Sequence, residues 1–144
     1  MKNIYHLLST FSLNFQSATL LLIRLVLAYG FYETTVPKWQ NIEPTAQWFV
    51  SIGIQFPVLS IYLVAIFETL AVLLFVLGLF TRAICVPLIV IILVAIFGVH
   101  FENGYSLANN GFEVPLYYLC MISVLFSFGG GNISLDKIIF KNDQ

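Results

Sequence analysis

Between Arg82 and His100 the chain reads AICVPLIVIILVAIFGV, with no charged side chain along its whole length. An apolar run of this kind approaches the roughly 20 residues needed to cross a bilayer as a helix. Three further segments have similar character. Residues 17–36 carry Arg24 and Glu33, residues 57–80 carry Glu68, and residues 114–129 are short and aromatic. Composition agrees: 60% of the chain is hydrophobic and 9% charged, where soluble domains carry about 25% charged residues. So few polar groups cannot cover a globular surface. The reading is an all-α, four-transmembrane-helix antiparallel bundle with short interfacial helices, and the lipid bilayer is its first partner.

The flanks refine this picture. In MKNIYHLLSTFSLNFQ, the residues Ile4, Leu7, Leu8, Phe11 and Phe15 recur at helical spacing, which suits an interfacial helix over 1–16. PTAQWFVSIGIQFP is similarly amphipathic, with Trp48 and Phe49 at headgroup depth. The bundle proper is 17–131, and 132–144 is a cytoplasmic tail. Pro57 and Pro115 stand at helix entries, where a missing N–H does no harm. GGGN at 129–132 reads as a helix terminator. Arg24 interrupts the first apolar run, which is not the pattern of a cleavable signal peptide.

Orientation follows from Lys and Arg outside the spans. Lys2, Arg82, Lys137 and Lys141 share one side; only Lys38 lies on the other, with Glu43, Glu102 and Glu113. Both termini are therefore expected in the cytoplasm of an inner-membrane, multi-pass protein. Net charge is -1 with no basic block, which argues against nucleic acid as a partner.

Two ionisable residues fall deep in spans. Arg24 lies roughly 18 Å before the end of the first span and Glu68 roughly 16 Å into the second, at 1.5 Å rise per residue. In antiparallel spans these depths match, so a buried Arg24–Glu68 ion pair is expected, because a lone charge at the bilayer centre costs at least ~2.5 kcal/mol. Such a pair either fixes helix packing or serves as a proton relay.

VHFENGYSLANNGFEVP, at 99–115, concentrates polar groups at the outer ends of the helices. His100, Glu102, Glu113, Asn110, Glu33, Lys38 and Tyr117 form a candidate ligand-binding mouth; hydration of a loop is the plainer explanation. Glu113, Tyr117, Cys120, Val124 and Ser127 make a polar stripe expected to face the bundle. His100 with Tyr117 suits a quinone, while His100, Glu102 and Glu113 are weaker candidates for a divalent metal, since none has the i, i+4 spacing of a helical metal site. No covalently bound cofactor is indicated. His6 and His100 lie on opposite sides, which excludes bis-histidine haem. Cys85 and Cys120 differ in depth by very roughly 10 Å, too far for a disulfide.

Arg24 with Gly30 and Lys38, WFVSIGIQFP, Glu68, GLFTR, His100 with NG, NNGFE and GGGNISLD occur in this order and together resemble the DoxX family of small four-helix membrane proteins. The resemblance implies a place in redox-linked membrane complexes, the founding relatives being named for a thiosulfate:quinone oxidoreductase. It carries over to Arg24, Lys38, Glu68, Arg82, His100, Asn110 and Glu113. FYETTVPKW, with Glu33 and Pro37, departs from a stretch usually more apolar. The expected role is an accessory or quinone-facing subunit of an oxidoreductase complex, with a membrane or periplasmic protein partner or a homo-oligomeric state. Metal handling or small-solute transport, and a non-catalytic scaffold, are the alternatives.

Overall fold

The computed structural model describes residues 2–140, with side chains at residue 13 and from residue 15 onward. It is all helix: α1 (Lys2–Gln40), α2 (Ile42–Ser51), α3 (Pro57–Leu77), α4 (Thr81–Ala95), α5 (Glu113–Phe128) and α6 (Leu135–Ile139). A π turn (Ile96–His100) and a 3-10 turn (Phe101–Asn103) extend α4, and a second 3-10 turn (Leu107–Asn109) lies in the loop before α5. Three described helical stretches are long and apolar enough to cross a membrane, Phe15–Gln40, Pro57–Leu77 and Thr81–Asn103; Glu113–Phe128 is a shorter apolar helix. The chain is a multi-pass helical membrane bundle.

α1 packs on α3 and α4 on α5, with α3–α4 and α1–α5 contacts closing the ring; α2 lies against α3. At the centre sit Leu27, Phe31, Phe75, Leu88, Ile122 and Leu125, all buried. Leu22, Leu73, Val90 and Phe126 point outward, as expected where the solvent is hydrocarbon and helices are apolar all round. Gly30 lets α5 come close, because a Cβ there would collide with the Tyr118 hydroxyl. Tyr118 packs edge-on against Phe31 at 5.6 Å.

Four expectations need correction or restatement. α1 runs unbroken from Lys2, so position 16 is no helix boundary; the side chains of Ile4, Leu7, Leu8 and Phe11, and residue Lys141, lie outside the described set. α1 also continues through Pro37 to Gln40, past the expected end at 36. Third, the α5 stripe does not face the bundle: Tyr117, Cys120 and Ser127 are exposed, while Ile122 and Leu125 turn inward with the half-buried Tyr118. Ile122 and Leu125 join Phe31 and Leu88 in the buried cluster, and of the stripe Val124 packs against it.

The fourth restatement concerns the C-terminal segment. Of the expected C-terminal tail, residues 132–140 are described, and they lie as a strap across the end of the bundle. Asn132 N–H donates to Ser17 Oγ at 3.2 Å, and Asp136 N–H to the Gly78 carbonyl at 2.9 Å. The Asp136 carboxylate accepts from Phe80 N–H at 2.7 Å and Thr81 N–H at 2.9 Å. It thereby caps α4 from a distant part of the chain.

Candidate functional site

Polar side chains gather in three places, and they are not the grouping expected. The first is at the strap end. Arg24 is 1% exposed. Its Nη1 donates to the Phe75 carbonyl at 3.1 Å and its Nη2 to the Ile133 carbonyl. The last-turn carbonyls of α3 carry the negative end of that helix dipole, so they hold the cation directly, and the Asp136 carboxylate attracts it without a direct ion pair. Gly78, in the left-handed region at φ 66, leaves room; a Cβ there would strike the guanidinium.

The second place lies toward the opposite end. Lys38 Nζ meets Glu68 at 2.9 Å and 2.7 Å from its two carboxylate oxygens and also donates to the Thr34 carbonyl at 3.2 Å. Thr34 Oγ1 donates to Glu68 Oε2 at 3.3 Å. Trp39 Nε1–H donates to Thr69 Oγ1 at 2.9 Å, beside a Thr35–Thr69 hydroxyl contact at 3.4 Å. The expected Arg24–Glu68 pair is therefore not formed. Helix register decides this: Thr35 Oγ1 donates to the Ala65 carbonyl while Arg24 reaches Phe75. Along α3 that leaves Arg24 roughly 10 Å beyond Glu68. The continuation of α1 past Pro37 keeps Lys38 in the helix, and Lys38 takes the place that Arg24 was expected to fill.

The third place is the outer lip, and it is two clusters. His100 Nδ1 pairs with the Asn110 carbonyl at 2.7 Å, which also accepts from Asn103 Nδ2 at 3.3 Å. The π turn at Ile96–His100 rewinds the end of α4 so that the imidazole faces the loop rather than lipid. Asn110 itself is left-handed, φ 59, a conformation Asn tolerates better than most residues. Separately, Glu113 Oε2 accepts from Leu107 N–H at 3.0 Å, Tyr117 donates to Glu113 Oε1 at 2.9 Å, and Tyr105 and Tyr117 hydroxyls lie 3.1 Å apart. Beside them Phe112 packs edge-on with Tyr105 at 5.6 Å and stacks with Phe101 at 5.9 Å.

Of the expected mouth residues, the structure thus joins His100 to Asn110 and Glu113 to Tyr117, and takes Lys38 away to Glu68. Glu33 and Glu102 make no hydrogen bond or ion pair among the described residues. His100, Glu102 and Glu113 are not gathered into a ligand set: no three His, Cys, Asp or Glu side chains come together for a metal among the described residues. Both cysteines are free, Cys85 buried and Cys120 exposed. Sequence reading missed Tyr105, Asp136 and the threonines around Glu68. The i, i+4 spacing of Thr34 and Lys38 was the available signal for the last group; Asp136 offered none, because it caps a helix 55 residues away.

The profile of the DoxX family matches residues 19–101. An uncharacterized protein of Haemophilus influenzae is 30% identical over 131 residues, spanning 85% of this chain and 84% of its own. No solved structure matches.

Proposed function

The chain belongs to the DoxX family, and on that premise we propose that it is an accessory, quinone-facing subunit of a membrane redox complex, with its small-molecule site at the outer lip. One observation carries this reading: the exposed, directional chain from Tyr105 through Tyr117 to Glu113. An ionised carboxylate only accepts hydrogen bonds, so Tyr117 donates to Glu113 and Tyr105 must donate to Tyr117. The Tyr105 oxygen is then left with acceptor lone pairs, at 51% exposure beside Tyr117 at 48%. Such a terminus suits a hydroxyl, the reduced quinol, and the stacked rings of Phe101 and Phe112 offer its aromatic ring a platform.

The chemistry divides accordingly. A quinol oxidised to quinone releases two electrons and two protons. In one concerted shift the Tyr105 oxygen would take one quinol proton while Tyr105 gives its own to Tyr117 and Tyr117 gives its own to the Glu113 carboxylate; the second proton would leave to water at this exposed lip. The electrons would go to a redox centre in a partner subunit, since this sequence has neither a CxxC pair nor two histidines on one side of the bilayer. The membrane is read as the bacterial inner membrane, with both termini cytoplasmic, from the bias of Arg82 and Lys137 to the strap end. Reporter fusions at the C-terminus test that orientation.

A short-chain quinol added to detergent-purified protein tests the site. It is expected to raise the melting temperature by a few degrees, and Tyr105→Phe is expected to abolish that gain without changing the ligand-free melting temperature. A melting temperature indifferent to quinol and quinone alike removes the reading.

A further inference from the structure

At the strap end a cavity of about 240 Å³ opens between the start of α4, the glycine run at 129–131 and α6. Its wall includes Arg82, Thr81, Asp136 and Lys137. The two cations are differently committed. Arg82 gives one donor of its guanidinium to the Ser127 carbonyl at 3.1 Å, out of five that it carries. The Lys137 ammonium makes no ion pair or hydrogen bond among the described residues. Asp136 brings one negative charge into the same wall, but its oxygens are held by the Phe80 and Thr81 amides and it forms no ion pair with either cation among the described residues, so the wall keeps a net positive charge of one. In the same wall, the Thr81 hydroxyl is buried and has no hydrogen-bond partner among the described residues, an uncommon state for a buried polar atom.

A second cavity, about 520 Å³, shares Phe80 and Ala83 with the first and runs up between α3 and α4 along Phe67, Leu74, Val86 and Pro87. Its lining is almost wholly apolar. A cationic pocket continuous with an apolar trough is complementary to one kind of molecule: a negatively charged head joined to a hydrocarbon chain. We propose that this composite site binds an anionic phospholipid, with the headgroup phosphate between Arg82 and Lys137 and one acyl chain in the trough. Phosphate chemistry accounts for the cations, and the trough favours a lipid over a free anion. The cytoplasmic leaflet, on which the strap end is expected to lie, is also where basic residues at helix ends meet anionic lipid.

The proposal is tested by native mass spectrometry of the detergent-purified chain with added phosphatidylglycerol or phosphatidylcholine. Phosphatidylglycerol is expected to be retained about tenfold better. Arg82→Gln with Lys137→Gln, both at exposed positions, is expected to erase that preference. Ala83→Phe keeps both cations but blocks the junction between pocket and trough, and is expected to lower retention of phosphatidylglycerol several-fold. Circular dichroism of each variant checks that the bundle is intact. Equal retention of the two lipids by the unaltered chain, a preference that survives loss of both cations, or full displacement of phosphatidylglycerol by inorganic phosphate would each overturn the proposal.

Discussion

Arg24 and Glu68 are both almost wholly buried, yet they are stabilised by different means. Glu68 has a countercharge, Lys38, with side-chain exposures of 6% and 23%. Arg24 reaches instead two backbone carbonyls, one at the end of α3 and one in the C-terminal strap. The difference shows that a buried membrane charge does not need a direct ion pair; the end of a helix supplies unsatisfied carbonyls and a dipole of the right sign, and the Asp136 carboxylate of the strap adds its attraction from further off. It also divides the roles of the two residues. Glu68 ties together α1 and α3, neighbours in any bundle of this topology. Arg24 ties the far end of the chain to α1 and α3 at once.

The sharpest way to break this contrast is to remove Arg24. Arg24→Leu strands the Phe75 and Ile133 carbonyls and loosens the strap, an expected loss on the order of 4 kcal/mol from unsatisfied acceptors and lost packing. Unfolding by denaturant titration in micelles measures it. Arg24→Lys is expected to recover little, because a compact ammonium lacks the fork that spans two carbonyls; full recovery would mean that charge alone matters there.

The Lys38–Glu68 pair is expected to respond differently. Lys38→Met leaves Glu68 buried without its cation, costing about 3 kcal/mol, the low end for a broken buried pair. Adding Glu68→Leu is expected to restore most of that loss, since two apolar side chains replace two desolvated charges. A double-mutant cycle that shows simple additivity would refute the coupling.

Smaller effects sharpen the comparison between the two ends of the bundle. Asp136→Ala removes the acceptors for the amides of Phe80 and Thr81 at the start of α4, an expected loss of about 1–2 kcal/mol, with faster hydrogen exchange at both. At the lip, Asn110→Gly is expected to be close to neutral, while Asn110→Ala costs about 1 kcal/mol through its left-handed backbone. Equal melting temperatures for the two Asn110 variants would show that the lip tolerates rearrangement.

Much of the fold was legible because the bilayer imposes one-dimensional rules. Span length, proline at the entries of α3 and α5, and the glycine stop after α5 were read from residues in a row. The clustering of His100, Asn103, Asn110 and Glu113 in one loop was equally plain. What was not legible were the partners. The lip is two separate networks because the π turn at Ile96–His100 redirects the imidazole, and no residue pattern announces that turn. The contacts of the C-terminal segment were not legible because its anchors, Ser17, Arg24 and Gly78, lie far away in the chain.

The sequence by itself determined that this chain buries its backbone in apolar helices, since hydrocarbon leaves an exposed peptide group no alternative. Only the tertiary structure decided which helix meets which at what height. A shift of a few residues in register costs apolar surfaces little, but it exchanges the partner of every buried charge. Arg24 and Glu68 were identifiable in the sequence as residues that needed partners. That they found different ones was settled by how α1 and α3 slide past each other and by where the strap returns.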